Sequence, residues 1–191
     1  MSQTPSAPDS NGAAAPFTDR EFRNTLGTFA TGVTVITAIG ADGVPCGMTA
    51  NSFTALSLQP PLVLWSIARG SPSAPLFLAA EYFAISILAA DQIDISRRFS
   101  RPHPDKFATV QTLPGLGGAP LIAGAAAHFE CRTEQFHEGG DHSIIIGRVL
   151  RLASSNAPPL IFCSGRYQRG VDLERAPDSD TELSVSWSGL A

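Results

Sequence analysis

The sequence predicts a mainly β protein with a few helices, closed into an antiparallel barrel. Three observations carry this. Segments rich in Val, Ile and Thr recur between Val33 and Cys163, with the length and alternation of strands. Most are joined by tight turns, among them Gly40-Ala41-Asp42-Gly43 and Glu138-Gly139-Gly140-Asp141, which suit antiparallel neighbours. The segments flanking the second turn are long, and long strands with hairpin connections favour a barrel over a sandwich of short strands.

Taken in order, residues 1–16 are low in apolar side chains and are expected to be disordered. They lack the charged and apolar regions of a signal peptide. Thr18 and Glu21 form a capping box, and Phe22, Leu26, Phe29 and Ala30 recur at helical spacing, which predicts one amphipathic helix ended by Gly32. A strand over Val33–Ile39 turns at Gly40–Gly43 into an extended segment, 44–52. Pro60-Pro61 is a stop, after which Leu62–Ile67 reads as a strand buried on both faces. Ser73 is placed to cap a short helix through Ala80, with Pro75 tolerated in its first turn. Tyr82–Leu88 alternates as a strand, and Asp91 begins a helix reaching Phe99. Residues 100–125, rich in Pro and Gly, read as one long irregular loop and a candidate lid. Strands over 126–137 and 142–152 follow, then a short one over Leu160–Cys163. Beyond Gly170 the chain turns acidic. The expected organisation is a segment 1–16, one domain over 17–169 and a tail over 170–191.

A domain of this size buries roughly 70% of the surface of its unfolded chain and needs no staple. The net charge of -4, with Lys106 the single lysine, gives no electrostatic case for nucleic acid. Three cysteines without a Cys-x-x-Cys pair argue for reduced thiols in a cytoplasm rather than a disulfide framework or zinc ribbon. No apolar run is long enough to suggest a membrane span. The histidines show no metal-binding pattern, and no dinucleotide fingerprint, Walker loop or nucleophile elbow is present.

The most unusual stretch is Gly47-Met48-Thr49-Ala50-Asn51-Ser52-Phe53. Hydroxyls and an amide lie there among small residues, as a flat heteroaromatic ligand with alternating donors and acceptors requires; a polar edge strand is the other reading. Arg69, Ser71 and Ser73 precede a predicted helix start, a good place for a phosphate or for a capped surface turn. His142 opens a strand after a turn, and Asp141 beside it can fix the imidazole. Arg166 and Tyr167 follow the final strand, where they meet either a ligand or the core. Phe99 and Phe107 bracket the irregular loop. Arg97, Arg98, Arg101 and Lys106 form a local basic patch, suited to dinucleotide phosphates or simply a solvated helix end.

Phe29-Ala30-Thr31-Gly32-Val33-Thr34-Val35-Ile36-Thr37 followed by Gly47–Phe53 resembles the signature of the flavin reductase-like family. Gly140-Asp141-His142 is similar to that family's Gly-Asp-His motif and Gly165-Arg166-Tyr167 to its closing motif, so the resemblance runs from about Phe22 to Tyr167. It implies an FMN-binding split β-barrel that dimerises. It further implies NAD(P)H-dependent reduction of FMN, or FAD, by hydride transfer from the nicotinamide to the flavin, with the reduced flavin passed to a partner monooxygenase. On that resemblance Thr49, Ala50, Asn51 and Ser52 contact the ring or ribityl chain. Ser66, Ile67, Ala68, Arg69 and Ser73 hold the phosphate end, and His142 lies on the nicotinamide side. Phe99, Phe107, Arg166 and Tyr167 complete the expected cofactor-binding set. Cys163 stands where many relatives are expected to carry a His, which puts that one contact in doubt. Two other readings stay open: a flavin-dependent oxidase or reductase of another small molecule, and a non-catalytic flavin-binding protein. NADH and NADPH are not distinguished.

Overall fold

The computed structural model describes residues 16–103 and 105–173, so nearly all of the expected N-terminal segment and most of the expected acidic tail lie outside the described residues. In chain order the elements are α1 (Asp19–Leu26), β1 (Thr31–Gly32), β2 (Thr34–Ile39), β3 (Pro45–Ala50), β4 (Thr54–Leu58) and β5 (Pro61–Ala68). Then come α2 (Ala74–Ala79), β6 (Tyr82–Ile87), α3 (Ile93–Phe99), β7 (Thr112–Pro114), β8 (Pro120–Ile122), β9 (Ala127–Gly139), β10 (His142–Ser154), β11 (Leu160–Cys163) and β12 (Arg166–Arg169).

Seven strands form one sheet in the order β3-β2-β6-β9-β10-β5-β4, while β1-β11-β12 form a small second sheet and β7-β8 a hairpin. Chain connectivity forces the large sheet to curl. Laid flat, its edge strands would stand about 29 Å apart at ~4.8 Å per neighbour. Those edges, β3 and β4, are joined only through residues 51–53, a link that reaches at most ~14 Å when extended. The two edges therefore meet along a seam, which is the split in the barrel. Ser52 stitches that seam, donating to the Ser66 carbonyl and accepting the Ser66 N–H, both at 3.0 Å.

Alternate residues of β2 serve two cores, as a period of two requires. Ile36 and Ala38 join Trp65, Phe83, Ile85, Cys131 and Ile145 inside the curl, closed by Phe77 of α2. Val35, on the other face, joins Leu88, Phe99, Ile122 and Leu160 beneath α3 and the small sheet. Trp65 and Phe77 meet near-perpendicular, with centroids 5.1 Å apart. Each such side chain contributes on the order of 1.5–3 kcal/mol by leaving water. Gly147 is required by this packing, because any Cβ there would collide with the Phe83 ring.

The structure departs from the sequence expectations in six places. The first helix keeps its capping box but stops at Leu26, well short of Gly32, because Gly27 and Thr28 accept bonds from Ser164 and Cys163. Thr31 and Gly32 then pair with β11 as a strand. The apolar residues of α1 are not buried: Phe22, Leu26 and Phe29 are 50%, 57% and 75% exposed. β4 was not anticipated, since Thr54–Leu58 has weak alternation and is a strand through its pairing with β5. β5 buries Val63, Trp65 and Ile67 on one face and only half-buries Leu62, Leu64, Ser66 and Ala68 on the other. The expected irregular loop holds the β7-β8 hairpin, and Ile122 enters the second core. Finally, the closing motif lies on a strand, β12, reached by a turn in which Ser164 and Gly165 have φ of 48° and 74°.

Candidate functional site

The site lies along the seam. β3 is an edge of the large sheet, so its outer backbone groups have no strand partner and, apart from the Gly47 carbonyl that Lys106 takes, remain for a ligand. Three hollows meet on it around Thr49, and a fourth lies beside them. One of about 340 Å³ runs over Thr49, Ala50, Asn51 and Ser52 to Ser66 and Ala68 of β5, with His142 at its end. A second of about 210 Å³ passes from Asn51 under Tyr167, Phe162, Ser96 and Ser100. A third of about 420 Å³ links Met48 and Thr49 to Ser71, Ser73, Arg101 and Lys106. The fourth, about 400 Å³, lies beyond it between Val44–Gly47 and His103, Asp105, Lys106 and Phe107.

Strand register brings His142 here. It pairs with Ala68 on β5 and with Gly139 across a two-residue turn, in which Gly140 has φ of 64°. Its Nδ1 donates to Asp141 Oδ1 at 2.7 Å, and that bond, first among the causes, holds the Asp141 carboxyl below its usual range. Nε2 is left for the hollow. Thr49 donates to the Ser96 carbonyl at 2.7 Å, tying β3 to α3. Tyr167 meets Ser96 Oγ at 2.9 Å and carries the Arg97 guanidinium 5.8 Å above its ring.

At the other end, Lys106 Nζ donates to the carbonyls of Gly47 and Phe99 at 3.0 and 3.1 Å. Arg98 holds the same loop by donating to the carbonyls of Lys106 and Asp105. Burial lowers the Lys106 pKa from its ordinary value and raises that of Cys46 nearby, so the Cys46 thiol stays protonated and is a poor nucleophile. Cys131 in the core is pushed up to about 12, again mainly by burial.

The structure gathers Thr49, Ala50, Asn51, Ser52, Ser66, Ala68, Ser73, Phe107, Tyr167 and His142 at these hollows. It corrects four expectations. The Ile67 side chain is 1% exposed and points into the core, because it alternates with Ser66 and Ala68. Arg69 turns to the β9-β10 turn, donating to the Gly140 carbonyl at 2.5 Å. Ser73 makes no side-chain cap, and α2 has only six residues, so no helix dipole of consequence serves an anion there. Arg166, exposed on β12, alternates with Tyr167 and borders none of the four hollows. Phe99 is 1% exposed and acts as a floor, with Phe107 edge-on to it at 5.0 Å.

Ser96, Ser100 and Met48 were missed as lining residues. Ser96 and Ser100 are four apart at the end of α3, a spacing that places both on one helix face and marked them as a pair. The donor set of the groove fits a flavin: an edge strand with alternating N–H and C=O groups, hydroxyls along its length and a cation at one end. Among the described residues no three His, Cys, Asp or Glu side chains are grouped to hold a metal ion, and no helix is long and apolar enough to cross a membrane.

Residues 26–170 match the model of the flavin reductase like domain family. The chain is 49% identical over 150 residues to the NADH-dependent FMN reductase SmoA of Agrobacterium fabrum, covering 78% of this chain and 85% of that one. It is 45% identical to the reductase component of a flavin-dependent trigonelline monooxygenase of Acinetobacter baylyi, over 78% of this chain but only 48% of that protein's length. Among solved structures, an NADH:FAD oxidoreductase of Streptomyces globisporus, in complex with NAD and FAD fragments, superposes with a TM-score of 0.75 at 42% identity. That match covers 85% of this chain and 96% of that one.

Proposed function

The chain belongs to the flavin reductase-like domain family, and from that premise we propose that it is an NAD(P)H:flavin oxidoreductase supplying reduced flavin to a partner monooxygenase. One observation carries the reading: the hydroxyl- and amide-bearing edge of β3 runs along the open seam, with His142 at one end of it and Lys106 at the other. Bound flavin, FMN or FAD, supplies the hydride acceptor that no side chain here provides, and NADH or NADPH is the donor.

The chain's own residues bind and orient. Thr49, Ala50, Asn51 and Ser52 present donors and acceptors to the ring and ribityl chain, while Ser71, Ser73 and Lys106 take the phosphate end. Tyr167 and Phe162 wall the groove on the α3 side. His142, oriented by Asp141, places Nε2 toward the open hollow, where it hydrogen-bonds the incoming nicotinamide or offsets charge building on the reduced ring. The relatives named as reductases, one of them a monooxygenase component, support the partner assignment. A second copy of the chain covers the exposed apolar face of α1, Phe22 and Leu26, in the proposed homodimer.

The test is oxidation of NADH and NADPH by flavin-stripped protein, with and without FMN, FAD or riboflavin. Turnover that rises with added flavin supports the reading. Flavin binding without nicotinamide turnover overturns it.

A further inference from the structure

We propose that Arg69 is a positioning residue for His142, its main chain and side chain together clamping the turn that carries the imidazole to the groove. This rests on the reading of the seam as a flavin reductase site and deepens it. The turn has little rigidity of its own. Gly139, Gly140 and Asp141 lead from β9 into β10, and Gly140 has φ of 64° with nothing within 4 Å of a Cβ placed there. Two glycines in succession leave the backbone many alternatives, and a turn that moves takes the first residue of the following strand with it. That residue is His142.

The end of β5 supplies the restraint. Because His142 pairs with Ala68, the next residue of that chain segment, Arg69, lies level with the turn. Its backbone N–H donates to the Asp141 carbonyl at 2.9 Å, and its Nη2 donates to the Gly140 carbonyl at 2.5 Å. One residue thereby fixes two consecutive carbonyls of the turn, and the rigid guanidinium fork loses little freedom in doing so. Among the described residues no other side chain hydrogen-bonds the backbone of Gly140 or Asp141. Asp141 in turn holds the imidazole through its 2.7 Å bond to Nδ1. The restraint therefore runs from β5 through the turn to Nε2, at the hollow that Asn51, Ser66 and Ala68 also line. The ion pair of Arg69 with Glu138 is a minor part of it, being 3.9 Å long with Glu138 86% exposed, where such pairs add little. The Arg69 side chain is itself half-exposed, so its removal leaves both cores intact.

The test is a double-mutant cycle in the full-length protein at saturating flavin. Arg69→Met keeps the backbone bond and the aliphatic stem but removes the guanidinium. It should lower kcat for NADH oxidation about tenfold, as misplacement of a positioned group does, with flavin affinity and melting temperature nearly unchanged. In a His142→Ala background the same substitution should change kcat by no more than about twofold, because two residues that act through one contact are not additive. Losses that multiply, or an unchanged kcat in Arg69→Met alone, overturn the proposal. So does a flavin affinity lowered about tenfold with kcat retained, which would make Arg69 a phosphate ligand. A second measurement needs no turnover: hydrogen exchange at the residue 69 amide, whose acceptor is the Asp141 carbonyl, should quicken about tenfold in Arg69→Met as the turn loosens. Unaltered exchange there also overturns the clamp. A parent protein that binds flavin but oxidises neither NADH nor NADPH sinks the reductase reading instead, and the exchange data then decide the clamp by themselves.

Discussion

Gly47 offers a sharp test of how the seam is built, because two aromatic rings lie on its backbone. A Cβ at this position would stand 2.7 and 2.9 Å from Phe99 Cε1 and Cδ1 and 3.1 Å from Phe107 Cζ. Phe99 cannot swing away as a flexible tail does: it is 1% exposed and packed in the second core with Val35, Leu88 and Ile122. Gly47→Ala therefore forces both rings to move. Overpacking of this kind costs about 1–3 kcal/mol, while removing a strand glycine returns about 0.5–1 kcal/mol, for a net loss of about 1–2 kcal/mol. For a chain of this length that lowers the melting temperature by roughly 2–8 °C. The rings also floor the cation-end hollows, so flavin affinity should fall with stability. The control is Gly32→Ala, where a Cβ meets nothing within 4 Å and stability should hold or rise slightly. Thermal denaturation of both variants, with flavin titration, is the assay. A Gly47→Ala protein as stable as the parent would refute the claim that close approach of the rings fixes glycine there.

Other expectations follow from individual contacts. His142→Ala should slow NADH oxidation by about 10- to 100-fold, the size of one lost hydrogen bond of ~1.5–3 kcal/mol to a charged group, with flavin affinity nearly intact; unchanged turnover would remove His142 from the mechanism. Tyr167→Phe leaves the fully buried Ser96 hydroxyl without its 2.9 Å partner and should cost about 1–3 kcal/mol by chemical denaturation, whereas an unaltered midpoint would contradict the bond. His128 carries a pH expectation. Ser86 Oγ accepts the Ile122 N–H and hydrogen-bonds His128 Nδ1 at 3.1 Å, and burial lowers the His128 pKa below 6.5, against a smaller opposing pull from Glu130. Unfolded chains then bind the proton more readily, so the stability from neutral His128 is complete above about pH 6.5 and is lost as pH falls through the folded value. Melting curves of the parent and His128→Asn, taken from about pH 8 to pH 5, should converge on the acid side; parallel profiles would refute the assignment.

Local chemistry was legible from the sequence wherever a residue's role is set by its neighbours in the chain. The Thr18 and Glu21 capping box, the Gly140 turn and the alternation of β2, β9 and β10 depend on steric and hydrogen-bonding preferences a few residues wide. So does Gly47–Phe53, whose hydroxyls and amide mark a binding edge in any fold that leaves that edge free. The sequence also pointed, through long strands and hairpin connections, to a barrel, but the short link from Ala50 to Thr54 forces the curl only because β4 pairs at the far edge of the sheet. What it left open is set by contacts between distant residues. Helix α1 ends at Leu26 because Ser164 and Cys163 reach its last turn, and Thr54–Leu58 is a strand because β5 pairs with it. Arg69, read as a phosphate ligand, is drawn instead to a carbonyl 71 positions later. Lys106, one member of a basic patch in the sequence, becomes the cation end of the groove only because the folded loop lays it on the Gly47 and Phe99 carbonyls. The sequence thus determined which side chains could bind a ligand. Only the tertiary structure decided which of them face the seam, because facing is fixed by register and by long-range hydrogen bonds whose partners no local window contains.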